Sequence, residues 1–82
     1  MTVTIIERRV LELLRDYFDE DIDSIILELE NEYDAEIDSI YFVELIPFIE
    51  SEYNIAINPD EIHNDAKRSF KSFCMLVEHL IH

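Results

Sequence analysis

Residues 38 to 45 read D-S-I-Y-F-V-E-L. A short polar pair runs directly into an apolar segment, which is how an amphipathic helix opens. Ser39 has the side chain of a helix cap, and Ile40, Val43, Ile46 and Ile49 recur at helical spacing behind it. Phe42, Leu45 and Tyr53 broaden that stripe, and Glu44, Glu50 and Glu52 fall on the outward side. Pro47 lies inside the pattern. Proline removes one backbone hydrogen bond and crowds the carbonyl four residues earlier, here that of Val43, so a kink or local break is expected. Asn54 is the expected end.

On the N-terminal side, a helix is expected from about Thr4 to Phe18. Ile6, Val10, Leu13, Leu14 and Tyr17 form its buried face, Glu7, Arg8, Glu12 and Arg15 its wet face, and Thr2 or Thr4 its cap. Residues 19 to 38 alternate acidic and apolar runs and read as a long, partly ordered connection, in which Ile25, Ile26, Leu27 and Leu29 give Ser24 to Glu32 enough apolar surface to dock as a short or irregular helix. On the C-terminal side, Asn58-Pro59-Asp60 turns the chain into a short helix containing Glu61, Ile62 and His63, because proline suits a first helical position. Ser69 caps a last helix whose buried face is Phe70, Phe73, Cys74, Val77, Leu80 and Ile81. The expectation is an all-α, small four-helix bundle: three main helices, a short third helix and a long first loop, in one domain over residues 1–82.

Composition narrows the function. Hydrophobic residues make up 49% of the 82, enough to fold, so acidity does not mean disorder here. Twenty Asp and Glu oppose six Lys and Arg, for a net charge of −14. Such a chain repels nucleic acid and anionic membranes and attracts basic protein surfaces. With no glycine there is no phosphate-cradling loop. No segment approaches the length of a membrane span, no signal-peptide layout opens the chain, and the single Cys74 has no internal disulfide partner. Cytoplasmic residence is the expectation.

The chain repeats itself. Residues 18 to 25, F-D-E-D-I-D-S-I, resemble residues 33 to 40, Y-D-A-E-I-D-S-I. In the first copy, Asp19, Asp21, Asp23, Ser24, Ile26 and Glu30 match five of six places of a calcium EF-hand loop, and Ser24 stands where that loop needs glycine. A solvated acidic loop is the plainer reading. In the second copy Leu45 replaces the bidentate glutamate.

The second copy resembles acyl and peptidyl carrier proteins. Their hallmark is Asp-Ser-Leu at the start of the second helix, followed by x-x-V-E-L and later by I-x-[I/V]-P-D-E. This chain has D-S-I-Y-F-V-E-L at 38–45 and I-A-I-N-P-D-E at 55–61, and the resemblance spans essentially its whole length. It implies a non-enzymatic carrier. A phosphopantetheinyl transferase would attach 4′-phosphopantetheine from coenzyme A to Ser39, beside Asp38, and the thiol would carry an acyl or aminoacyl thioester. The resemblance also implies that Ile40, Tyr41, Glu44, Glu50 and Glu52 face loading and processing enzymes through their basic docking patches, with the carrier a monomer. Glu36 replaces the family's usual glycine, Tyr41 stands two past the serine, Pro47 interrupts the recognition helix and one residue is inserted before Pro59. These departures point to a specialised lipid, polyketide or peptide pathway, and Tyr41 and Phe42 to a reshaped cargo groove. A serine that must enter another active site is expected to be exposed at a helix start. The alternative from another class is a calcium-responsive or basic-partner-binding helical protein using Asp19 to Glu30.

The remaining candidates carry plainer readings. His63, His79, His82 and Cys74 lack zinc-ligand spacing, so no metal is expected. Cys74 lies on an apolar helix face and reads as core, and Lys67, Arg68 and Lys71 read as a solvated helix edge.

Overall fold

A computed structural model describes residues 4–18, 21–62 and 67–81. Four helices carry the fold: α1 (Ile5–Phe18), α2 (Ile22–Glu32), α3 (Ser39–Tyr53) and α4 (Phe70–Ile81). Two three-residue strands, β1 (Glu36–Asp38) and β2 (Lys67–Ser69), pair antiparallel, with Glu36 opposite Ser69, Ile37 opposite Arg68 and Asp38 opposite Lys67. A 3₁₀ turn, Pro59–Glu61, lies between α3 and β2. The chain is therefore the small helical bundle expected, with a two-strand clip added.

Local chemistry explains where each helix begins. Thr4 Oγ1 accepts from Glu7 N at 3.0 Å, and Glu7 Oε1 accepts from Thr4 N at 2.8 Å. This reciprocal cap satisfies two backbone donors that the first turn leaves over. Asp21 caps α2 and Asp38 caps α3. Ser69 Oγ accepts from Ser72 N at 3.1 Å, the cap expected for α4. Asn58 Oδ1 holds the 3₁₀ turn through Asp60 N at 3.0 Å.

Helix ends are harder to make without glycine. Tyr33 and Asn54, after α2 and α3, both take left-handed backbone, at φ 62° and 56°. Asparagine tolerates that conformation; for a tyrosine it costs about 1–2 kcal/mol. At Asn54 the bend is anchored by Ile55 N, which donates to Glu50 O at 3.3 Å.

The core draws on every helix. Leu13 and Leu14 of α1, Leu29 of α2, Phe42, Leu45 and Ile49 of α3, and Phe70, Phe73 and Val77 of α4 are essentially fully buried, and Ile62 joins them after the 3₁₀ turn. Phe42 and Phe73 stack with ring centroids 4.4 Å apart, joining α3 to α4. Each such side chain contributes on the order of 1.5–3 kcal/mol relative to an exposed one.

Several expectations need correction. The connection over residues 19 to 38 contains α2, a regular eleven-residue helix. Ile22, Ile25 and Leu29 recur along its inner face, and no glycine or proline breaks it. Helix α3 runs as one element through Pro47, which sits on the exposed side of the helix, so the lost N–H costs one bond without ending it. The buried stripe of α3 is Phe42, Leu45, Ile46 and Ile49, while Ile40 points outward and Val43 is half-buried. Tyr17, assigned to the core of α1, is 56% exposed. The short third helix is only the 3₁₀ turn; Ile62 follows it and His63 lies outside the described residues, as do Asp19 and Thr2.

Candidate functional site

The site is the junction where β1 runs into α3 without an intervening loop. Asp38 belongs to both elements: it pairs with Lys67 through the strand, and its Oδ1 accepts from Ile40 N at 3.2 Å. Ser39 is therefore the first helical residue, and Asp38, not Ser39, is the cap. Ser39 is 9% exposed, so little of the residue reaches the surface. The expectation of an exposed serine is not met.

The next residues form the outer surface. Ile40 is 54% exposed, and Glu44 and Phe48 follow it at intervals of four, on the same face of α3. Tyr17 of α1 stacks on Phe48, ring centroids 4.3 Å apart, and extends this face across to α1. Beside that pair is an open hollow of about 460 Å³ floored by Leu13 and Pro47 and walled by Arg9, Ser51 and Glu52. Tyr41 is half-buried and leans on Phe18 at 5.4 Å.

The five residues expected to face partners thus divide. Ile40 and Glu44 are exposed on the outer face. Tyr41 packs inward. Glu50 is half-buried, and its Oε2 accepts from Ile57 N at 2.8 Å, closing the turn after α3. Glu52 accepts from Arg9 Nε at 2.9 and 2.8 Å and meets Arg9 Nη2 at 2.8 Å. The Arg9 hydrogen bond holds the Glu52 carboxyl below its usual range, and Glu52 in turn raises Arg9. Glu50 and Glu52 are engaged in holding α3 to its neighbours.

A second carboxylate, not singled out from the sequence, lies five residues before Ser39. Asp34 Oδ1 accepts from Ala35 N at 2.8 Å and from Lys71 N at 3.0 Å, and its Oδ2 accepts from the Ser69 hydroxyl. Ala35 O accepts from Phe70 N at 2.7 Å. Partial burial pushes the Asp34 carboxyl up, but the Ser69 hydroxyl and the two amides outweigh it and hold the group below its usual value. The D-A-E-I-D run before Ser39 is in this way bound to the start of α4. The readable signal was an Asp and a Ser placed before two apolar helices, but their pairing is a long-range contact that spacing does not encode.

The first copy of the repeat is built differently. Asp21 Oδ1 accepts from Ser24 N at 3.2 Å and Asp21 Oδ2 from the Ser24 hydroxyl at 2.8 Å. These bonds, the side-chain one foremost, lower the Asp21 carboxyl. Asp23, Ser24, Ile26 and Glu30 lie on α2, so the described part of this stretch is helix and not an ion-binding loop. Among the described residues no group of three His, Cys, Asp or Glu side chains is placed to hold a metal ion. Cys74 is buried in the core, and burial pushes its thiol far up, leaving it unreactive. No described helix is long and apolar enough to cross a membrane.

The chain matches no family model, and no curated protein or solved structure matches it.

A phosphopantetheinyl group needs an alcohol at an accessible helix start, where backbone N–H groups and the helix dipole tolerate a phosphodiester. Ser39 on the first turn of α3 meets the chemical part of that demand. At 9% exposure the steric part of the demand is not met in this position.

Proposed function

We propose that this chain is an acyl or aminoacyl carrier protein of a specialised biosynthetic pathway, modified with 4′-phosphopantetheine on Ser39. The observation that carries the reading is the capped start of α3, where Asp38 caps, Ser39 leads and Ile40 and Glu44 continue onto an exposed face. It gives structural sense to the D-S-I-x-x-V-E-L pattern, because the reactive alcohol and the surface a partner would touch sit on one helix.

In the loading step the Ser39 hydroxyl attacks the pyrophosphate of coenzyme A inside a transferase. A bond would form between the serine Oγ and the pantetheine phosphorus, the phosphoanhydride P–O bond would break, adenosine 3′,5′-bisphosphate would leave and the serine proton would pass to the transferase's base. The group supplies a thiol on which acyl or aminoacyl cargo rides as a thioester. The chain performs no catalysis itself; it works as a cytoplasmic monomer visited by successive enzymes.

The net charge of −14 supports partners with basic docking patches, since opposite charge speeds encounter without preventing release. Ile40 and Glu44 are the contacts such a patch would meet first. Glu50 is taken up in closing the turn after α3, and Glu52, though exposed, is already paired with Arg9.

The test is intact mass after incubation with coenzyme A, Mg²⁺ and a broad-specificity phosphopantetheinyl transferase. Gain of one phosphopantetheinyl group is the expected result. No gain across several transferases would remove the carrier reading.

A further inference from the structure

The serine proposed to be modified is buried, and the segment leading to it is bound down. Ser39 is 9% exposed. The three residues before it, β1, are paired residue for residue with β2. A two-strand ladder this short has little stability of its own. What reinforces it is Asp34, which collects hydrogen bonds from Ala35 N, Lys71 N and the Ser69 hydroxyl, while Phe70 N closes onto Ala35 O. Ser69 also caps α4 through Ser72 N. One carboxylate therefore ties the approach to Ser39 to the first turn of α4.

We propose that this Asp34 clamp is a gate: it holds Ser39 in its sequestered position, and phosphopantetheinyl transfer proceeds from a state in which residues 34–40 have locally opened. The inference rests on the Ser39 reading above. Reacting atoms must come within about 3–3.5 Å in line. A serine that is only 9% exposed does not present its hydroxyl to a bulky pyrophosphate at that range. The first turn of α3 must therefore move, and the clamp and strand pair oppose that movement from the N-terminal side. When only a fraction of molecules is competent, the observed efficiency scales with that fraction. Loosening the clamp should then speed loading, although it lowers stability. A residue that merely supports the fold would do the opposite or nothing.

The experiment measures transferase kcat/KM on the full chain together with native-state hydrogen exchange at the Phe70 amide. The variants are Asp34→Ala, the milder Ser69→Ala, the double variant, and Val10→Ala as a control that destabilises the α1 core away from the clamp. Asp34→Ala should raise kcat/KM about tenfold and Ser69→Ala about threefold, the range expected for losing a net intramolecular hydrogen bond of about 0.5–1.5 kcal/mol. Phe70 exchange should rise in step, and the double variant should be no faster than Asp34→Ala, because both remove one unit. Val10→Ala should load at the wild-type rate.

Faster exchange with unchanged or slower loading would overturn the gate and leave the carrier reading standing. Unchanged exchange would show that the carboxylate does not hold the segment, and would also overturn it. Equal acceleration in Val10→Ala would assign the effect to general instability instead. Failure of the wild type and of every variant to load would remove the carrier reading and the gate with it.

Discussion

The two Asp-Ser-Ile copies make the same kind of connection and end in different structures. Each begins at the end of one helix, at Phe18 or Tyr33, and leads into the next. In the first, the cap is Asp21, three residues before the serine, so Ser24 lies within the first turn, exposed, with its hydroxyl returned to the cap. In the second, the cap is Asp38, immediately before the serine, so Ser39 is the first helical residue and is almost buried. The difference arises upstream. Residues 36 to 38 are held extended by β2, and a helix cannot start until that pairing ends. Residues 21 to 23 carry no strand pairing, and α2 starts at once behind its Asp21 cap. A motif's chemistry thus depends on where a distant strand lets its helix begin.

The largest expected effect separates the two serines. Ser39→Ala should abolish phosphopantetheine loading, and Ser24→Ala should leave it at the wild-type level, both read by mass. Loss in Ser24→Ala instead would reverse their roles. Next comes the strand that makes the copies differ. Ile37 is its buried residue, and Ile37→Ala should lower unfolding free energy by about 2–4 kcal/mol, the usual cost of a buried isoleucine truncation. Urea titration measures it, and a loss below 1 kcal/mol would mean that β1 is not anchored in the core.

Acid offers a third way to loosen the second copy. The folded Asp34 carboxyl ionises below its unfolded value, so its stabilisation is present above the unfolded pKa of about 3.9 and is lost as pH falls through the lower folded value. Melting temperatures should drop between pH 5 and pH 2, and less so in Asp34→Asn. An identical drop in both proteins would leave Asp34 out of the acid response. The smallest effect concerns the residue that ends α2 and opens the second copy. Tyr33→Gly should stabilise by up to about 1 kcal/mol, because glycine takes left-handed backbone freely. Destabilisation would show that the Tyr33 side chain contributes more than its backbone costs.

Much of the bundle was legible because helices carry their own period. Helices α1, α3 and α4, the Ser69 cap and the buried Cys74 follow from spacing and polarity alone. Helix α2 was underestimated because acidic residues flank it, although Asp21 and the spacing of Ile22, Ile25 and Leu29 are sufficient local signals. The strands were invisible: three residues are too few to establish an alternation, and their partner lies about thirty positions away. The candidate site followed the same division. Ser39 and Asp38 at a helix start were readable. The burial of Ser39, the retention of Glu50 by Ile57 and of Glu52 by Arg9, and the hydrogen bonds at Asp34 were not. Each of these depends on which neighbour tertiary packing supplies, and a carboxylate looks the same in sequence whether it faces a partner enzyme or its own backbone.

The most direct test of the carrier account is peptide mapping of the protein after reaction with coenzyme A and a phosphopantetheinyl transferase. The expected result is a single phosphopantetheinyl group on the peptide containing Ser39, with the Ser24 peptide unmodified. A group on Ser24, or none on either serine, would contradict the account.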